Sequence, residues 1–116
     1  MDAIGGGIPE ITGLAAAGAQ MILFVTGSGH PTGHPVVPTI KITANPRTAA
    51  RFANSIDVDV SPALAGKVSL DGTAERIRET LFAVCAGQMR RNELQGDVES
   101  TVASVHAWSQ HLVGLG

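Results

Sequence analysis

Two histidines four residues apart, His30 and His34, are the first side chains in this sequence whose type and spacing suggest chemistry. Imidazoles titrate near neutral pH and serve as general acid and base, or as metal ligands. On a helix this spacing would put both rings on one face, as in zinc proteases. Pro31 and Gly33 lie between them and forbid the helix, so the pair belongs to a loop. No third ligand stands nearby, so a metal site made by this chain alone is not expected. The plain alternative is a pair of exposed loop histidines bonded to backbone, and spacing alone favours it.

The histidines sit in Thr26-Gly27-Ser28-Gly29-His30-Pro31-Thr32-Gly33-His34-Pro35-Val36-Val37-Pro38, which holds three of the 14 glycines and three of the six prolines. Gly27-x-Gly29 directly follows an apolar run, an arrangement in which backbone N–H groups can hold an anion. A dinucleotide fingerprint needs a third glycine at the right offset and then a helix. Pro31, Pro35 and Pro38 exclude that helix, and with it Rossmann or Walker-type nucleotide binding. A carboxylate remains a suitable occupant, with Thr26, Gly27, Ser28, Gly29, Thr32 and Gly33 as its candidate contacts. Lys41 begins as either a solvated lysine at a strand edge or the cation that holds a carboxylate. Asp57 and Asp59 share one strand face; paired carboxylates can bind a cation or do acid–base work, and two solvated side chains are the more common outcome. His106 and His111 show no pattern.

The surrounding elements must present that loop. Pro9–Ala19 reads as a short helix with Pro9 at its start and Gly18 at its end. Met21–Val25 is apolar on both faces, the mark of a buried parallel strand. Thr39–Thr43 alternates at period two. Asn45-Pro46 starts a helix over Arg47–Asn54, with Asn45 as its cap. Ser55–Val60 alternates again and reads as a third strand. Ser61–Leu70 is irregular. Ile77, Leu81, Val84, Cys85 and Met89 form an apolar stripe on a helix over Thr73–Gln88, with Cys85 buried as a small hydrophobe. Val102, Val105, Trp108 and Leu112 recur at helical spacing in the tail. The order is that of an α/β fold: a small, mainly parallel sheet with helices packed on it, Rossmann-like in layering.

Composition narrows the classes. With 116 residues, one domain spanning 1–116 is expected. A net charge of −2 and a basic cluster no longer than Arg90-Arg91 give no footing for nucleic acid. No apolar run approaches the length of a membrane span, and the N-terminus lacks the pattern of a signal peptide. One cysteine rules out an internal disulfide and suits the cytoplasm.

Gly18-Ala19, the apolar strand, Thr26-Gly27-Ser28-Gly29, Pro35-Val36-Val37-Pro38-Thr39-Ile40-Lys41 and Asn45, followed by Asp57-Val58-Asp59-Val60, Asp71-Gly72 and Glu93, stand in the order found in the C-terminal region of the altronate/galactarate dehydratase family. The chain resembles that family from about Gly13 to Glu93. The resemblance implies a hydro-lyase that converts a hexonate or hexarate to a 2-keto-3-deoxy acid, dependent on a divalent metal, typically iron, whose ligands lie mainly outside this chain. A related branch eliminates sulfite from sulfolactate. It also implies that the chain is the C-terminal part of a longer enzyme or a split subunit, inactive alone, whose partners are a sugar acid and the rest of the enzyme, with room for a homo-oligomer. In that frame the glycine loop lines the site, Lys41 pairs with substrate charge, and His30 or His34 is the acid–base candidate. Ser28 replaces an arginine frequent in the family, which removes one carboxylate clamp. A non-catalytic anion-binding or assembly domain is the alternative.

Overall fold

The computed structural model describes residues 7–101. Three parallel strands, β1 (Ile22–Val25), β2 (Thr39–Thr43) and β3 (Val58–Asp59), form one sheet in the order β1-β2-β3. Helix α1 (Ile8–Ala16) precedes the sheet and α2 (Pro46–Arg51) links β2 to β3. Three helices complete the chain's described part: α3 (Ser61–Leu64), α4 (Leu70–Cys85) and α5 (Arg91–Gln95). The expected small parallel α/β sheet is therefore present.

Register separates the two faces. Leu23 pairs with Ile40, Val25 with Ile42 and Ile42 with Val58, so these side chains point one way. On that face Ile40, Ile42 and Val58 pack against Val84, Ile77 and Leu81 of α4. Ile22 pairs with Thr39 and Phe24 with Lys41, facing the other way. There Ile22 joins Ile11 of α1 and Val37 of the loop, with Leu14, Ala15 and Phe24 around them. The result is three layers: α4, the sheet, and α1 with the loop.

Several sequence expectations change. β1 is an edge strand, and α4 leaves Leu23 and Val25 exposed; an apolar run shows hydrophobicity but not position in the sheet. β2 is the central strand and all five of its residues are buried, Lys41 included, so Lys41 is not at an edge. The third strand shrinks to Val58–Asp59 because the chain is still turning through Ser55, whose N–H donates to Phe52 O. The expected irregular stretch contains the one-turn α3, where Asp59 Oδ1 accepts from Ser61 N–H at 2.9 Å. α4 starts earlier than expected, with Ser69 Oγ as its cap accepting from Gly72 N–H at 3.0 Å. Cys85 is exposed rather than buried, and so is Met89; Cys85 sits a step around the helix from Val84, which does face the core. Val102, Val105, Trp108, Leu112, His106 and His111 lie outside the described residues.

The loop between β1 and β2 is unusual for a parallel pair, which needs a crossover of a dozen or more residues and generally uses a helix. Here residues 26–38 cross without one, and side chains hold them. Gly33 bridges to Val98, donating to Asp97 O at 2.8 Å and accepting from Glu99 N–H at 3.0 Å. A Cβ on Gly33 would lie 1.7 Å from Asn92 Nδ2, and Asn92 is 0% exposed. Gly33→Ala should therefore destabilise by about 1–3 kcal/mol through overpacking. Asn92 has neither amide atom partnered among the described residues, so Asn92→Ala should cost less, and the double variant less than the sum. Urea denaturation of the three variants measures this coupling; strict additivity would contradict the close packing of this pair.

Candidate functional site

The turn at the carboxyl end of β1 is built from its own side chains and from α2. Thr26 N–H extends the ladder to Ile42 O at 2.9 Å, and Thr26 Oγ1 accepts from Gly29 N–H at 3.1 Å. Asn45 caps α2 by accepting from Arg47 N–H at 3.0 Å, and with the other end of its amide donates to Gly27 O at 3.0 Å. Thr48 Oγ1 donates to the same carbonyl at 2.6 Å. Gly29 has φ +86° and a Cβ there would strike the Phe52 ring, so only glycine fits. Among the described residues nothing accepts from the N–H groups of Gly27 and Ser28, and both residues are exposed. A braced turn with two unpartnered N–H donors on exposed residues can receive an anion. In open parallel sheets ligands bind beyond the carboxyl ends of the strands, where this turn stands.

The rest of the loop divides. Thr32 and His34 are buried. His34 Nδ1 accepts from Val36 N–H at 3.2 Å and Val37 N–H at 3.3 Å, which places the ring proton on Nε2. The His30 ring lies 5.6 Å from the Phe24 ring at 59°, closely covered by Gly7. The two histidines thus occupy different surroundings. Among the described residues no three His, Cys, Asp or Glu side chains come together. These residues on their own do not fit a divalent metal.

Lys41 is 0% exposed, and its Nζ donates to His30 O at 2.5 Å, tying the central strand to the loop. Burial pulls its pKa down from 10.5 to about 8, while the carboxylates of Asp57 and Asp97 pull it upward. Between those two values the unfolded chain holds a proton that the folded chain has released, so stability rises with pH across that window. The chain has no tyrosine and only Lys67 as a second lysine, which leaves the window nearly clear. The urea midpoint should climb from pH 8 to pH 10, and Lys41→Met should flatten that climb. A wild-type midpoint that stays level across the window would contradict the burial of the Lys41 amine.

Asp57 and Asp59 do not act as a pair. The Asp57 side chain is 3% exposed; its Oδ2 accepts from Lys41 N–H at 2.9 Å and its Oδ1 from Arg91 N–H at 3.2 Å. The guanidinium of Arg90, 5% exposed, lies 3.9 Å from Oδ1. Asp57 is thus an internal anchor, and Asp59 holds the start of α3. Sequence reasoning missed Asn45 and Thr48 as supports of the glycine turn, and Asn92 and Arg90 as buried groups. Asn45 was legible as a cap; its second bond spans 18 residues and left no local signal.

Fold and site together define a small parallel α/β domain that presents a braced glycine turn at the carboxyl end of its sheet. The chain belongs to the D-galactarate/altronate dehydratase family, whose C-terminal profile, "D-galactarate/Altronate dehydratase, C-terminal", matches residues 1–107. It is similar to the "(2R)-sulfolactate sulfo-lyase subunit beta" of Chromohalobacter salexigens, 32% identical over 91% of this chain and 27% of that protein. It is also similar to the "Altronate dehydratase" of Escherichia coli, 38% identical over 69% of this chain and 16% of that protein. The chain therefore spans about a quarter or less of the curated relatives it matches. No solved structure matches it. Among the described residues, no helix is long and apolar enough to cross a membrane.

Proposed function

We propose that this chain is the C-terminal domain of a cytoplasmic sugar-acid dehydratase, and that its Thr26–Gly29 turn holds the substrate carboxylate. The observation that carries this reading is the pair of N–H groups of the exposed residues Gly27 and Ser28, unpartnered among the described residues, in a family of hydro-lyases. In such a reaction a base takes the proton beside the carboxylate, the electron pair forms an enediolate, and the neighbouring hydroxyl leaves as water. The enol then becomes the 2-keto-3-deoxy acid. Donors fixed around the carboxylate stabilise the charge that develops there without reorganising.

In this reading Lys41 acts from beneath the turn, holding His30 O, rather than by touching substrate. Of the loop histidines, His34 would exchange its proton through Nε2, since Nδ1 is committed to backbone. The divalent metal, iron in this reading, is held by residues of the enzyme outside this chain, and the isolated chain is inactive.

The match to the sulfolactate sulfo-lyase subunit covers more of the chain than the match to the altronate dehydratase. That observation supports a second reading, elimination of sulfite from a sulfonated hydroxy acid. Turnover assays of the enzyme containing this domain, with ferrous ion added, distinguish the two. Release of a 2-keto-3-deoxy acid from altronate or galactarate is expected. Sulfite release from (2R)-sulfolactate instead would transfer the assignment to the second reading. Binding of these acids without turnover would leave an anion-binding domain.

A further inference from the structure

Arg76 of α4 lines a cleft of about 300 Å³ beside β3, together with Pro46, Ala49 and Ala50 of α2 and Asp59 of β3. The residue is exposed, and its Nη1 donates to Asp59 O, at the carboxyl end of β3, at 3.0 Å. Among the described residues, no carboxylate lies within ion-pair distance of its guanidinium. The acids that border the cleft are committed elsewhere. Asp59 Oδ1 accepts from Ser61 N–H, and Asp57 is held by Arg90 and two backbone N–H groups. A guanidinium with N–H groups to spare suits a carboxylate, which it can grip with two parallel hydrogen bonds.

The cleft and the glycine turn adjoin. Pro46, which lines the cleft, follows Asn45, whose amide holds Gly27 O. Both stand at the carboxyl side of the sheet: the turn follows β1, and Arg76 holds the last residue of β3. β1 and β3 flank β2, so they lie two strand spacings apart, about 10 Å. The carboxylate carbons of a six-carbon diacid are five C–C bonds apart, about 6 Å when extended. A hydrogen bond of about 3 Å at either end carries such an acid across that distance.

We propose that Arg76 holds the far carboxylate of a hexarate whose near carboxylate sits on the Thr26–Gly29 turn, and so favours diacids over monoacids. This rests on the turn being the seat of the reacting carboxylate. A hexonate presents a neutral hydroxyl at the far end and gains no charge-assisted bond there.

The test uses the enzyme containing this domain, with galactarate as the diacid and altronate as the monoacid. Arg76→Gln keeps a donor for Asp59 O and removes the charge. Its kcat/KM should fall about 10- to 100-fold on galactarate, the scale of a hydrogen bond to a charged group, and less than about threefold on altronate. If altronate is not turned over, its inhibition constant against galactarate takes the place of kcat/KM. Arg78→Gln removes the same charge from the same helix, where Glu75 pairs with it at 2.6 Å, and should move neither value. Ser28→Glu should lower both. If Arg76→Gln lowers both acids equally, or leaves galactarate unchanged, while Ser28→Glu lowers both, the turn keeps its carboxylate and the proposal for Arg76 is overturned. If Ser28→Glu lowers neither, the reading of the turn falls and this proposal falls with it. An enzyme that turns over altronate and rejects galactarate also overturns it, as does one that turns over only (2R)-sulfolactate.

Discussion

Replacing Asp57 with alanine should cost about 3–5 kcal/mol of folding stability, because it leaves buried charge without its partner. The carboxylate sits among the Lys41 N–H, the Arg91 N–H and the Arg90 guanidinium, with side-chain exposures of 3% for Asp57 and 5% for Arg90. It also opposes the Lys41 ammonium, whose pKa it raises against the effect of burial. Without it, the buried Arg90 loses its counter-charge, Lys41 keeps only that of Asp97, and the hydrogen bonds from Lys41 N–H and Arg91 N–H are lost. A domain of this size has roughly 5–15 kcal/mol in total, so the variant should be largely unfolded under mild denaturant.

Asp57→Asn separates the causes. It keeps the shape and can still accept one backbone bond, but not the charge. If charge dominates, its urea midpoint should fall nearly as far as that of the alanine variant; if hydrogen bonding dominates, it should stay near wild type. An alanine variant within about 1 kcal/mol of wild type, the range of a solvated ion pair, would show that Asp57 is not the anchor described. Any loss of activity in these variants follows from loss of fold and says nothing about catalysis.

Much of the frame was legible because its signals are local. Thr39–Thr43 alternates and emerges as β2 with those bounds. Asn45-Pro46 announces α2 through cap chemistry that needs only neighbouring residues. The prolines of residues 31–38 excluded a helix, and the crossover has none. The hidden features depend on partners far along the chain. Period-two alternation put Asp57 on a solvated face, and only the arrival of Arg90 and Arg91, more than thirty residues later, makes it an internal anchor. Lys41 carried the same ambiguity. Its burial follows from β2 being central and from a carbonyl that the loop brings over it, and neither is written in the strand's own pattern. The depth of β1 was misjudged for a related reason: α4 covers β2 and β3 but not Leu23 and Val25. At the site, the glycine turn was visible in the sequence, while its braces at Asn45 and Thr48 were not.

The role proposed for the turn is to seat the substrate carboxylate, and Ser28→Glu tests it most directly. Ser28 is exposed and its side chain has no partner among the described residues, so the change should leave folding intact. It places a second carboxylate where the substrate's must go, and like charges in contact at a binding surface cost several kcal/mol. At 1.36 kcal/mol per decade, kcat/KM for the hexonate or hexarate should fall on the order of 100-fold. Ser28→Ala, which keeps both backbone donors, should fall far less. The decisive measurement is kcat/KM of the enzyme containing this domain, in the wild-type and Ser28→Glu forms, on the sugar acid it turns over. A loss on that scale with an unchanged melting profile is the expected result; equal kcat/KM in the two forms would contradict the assignment of the turn to the carboxylate.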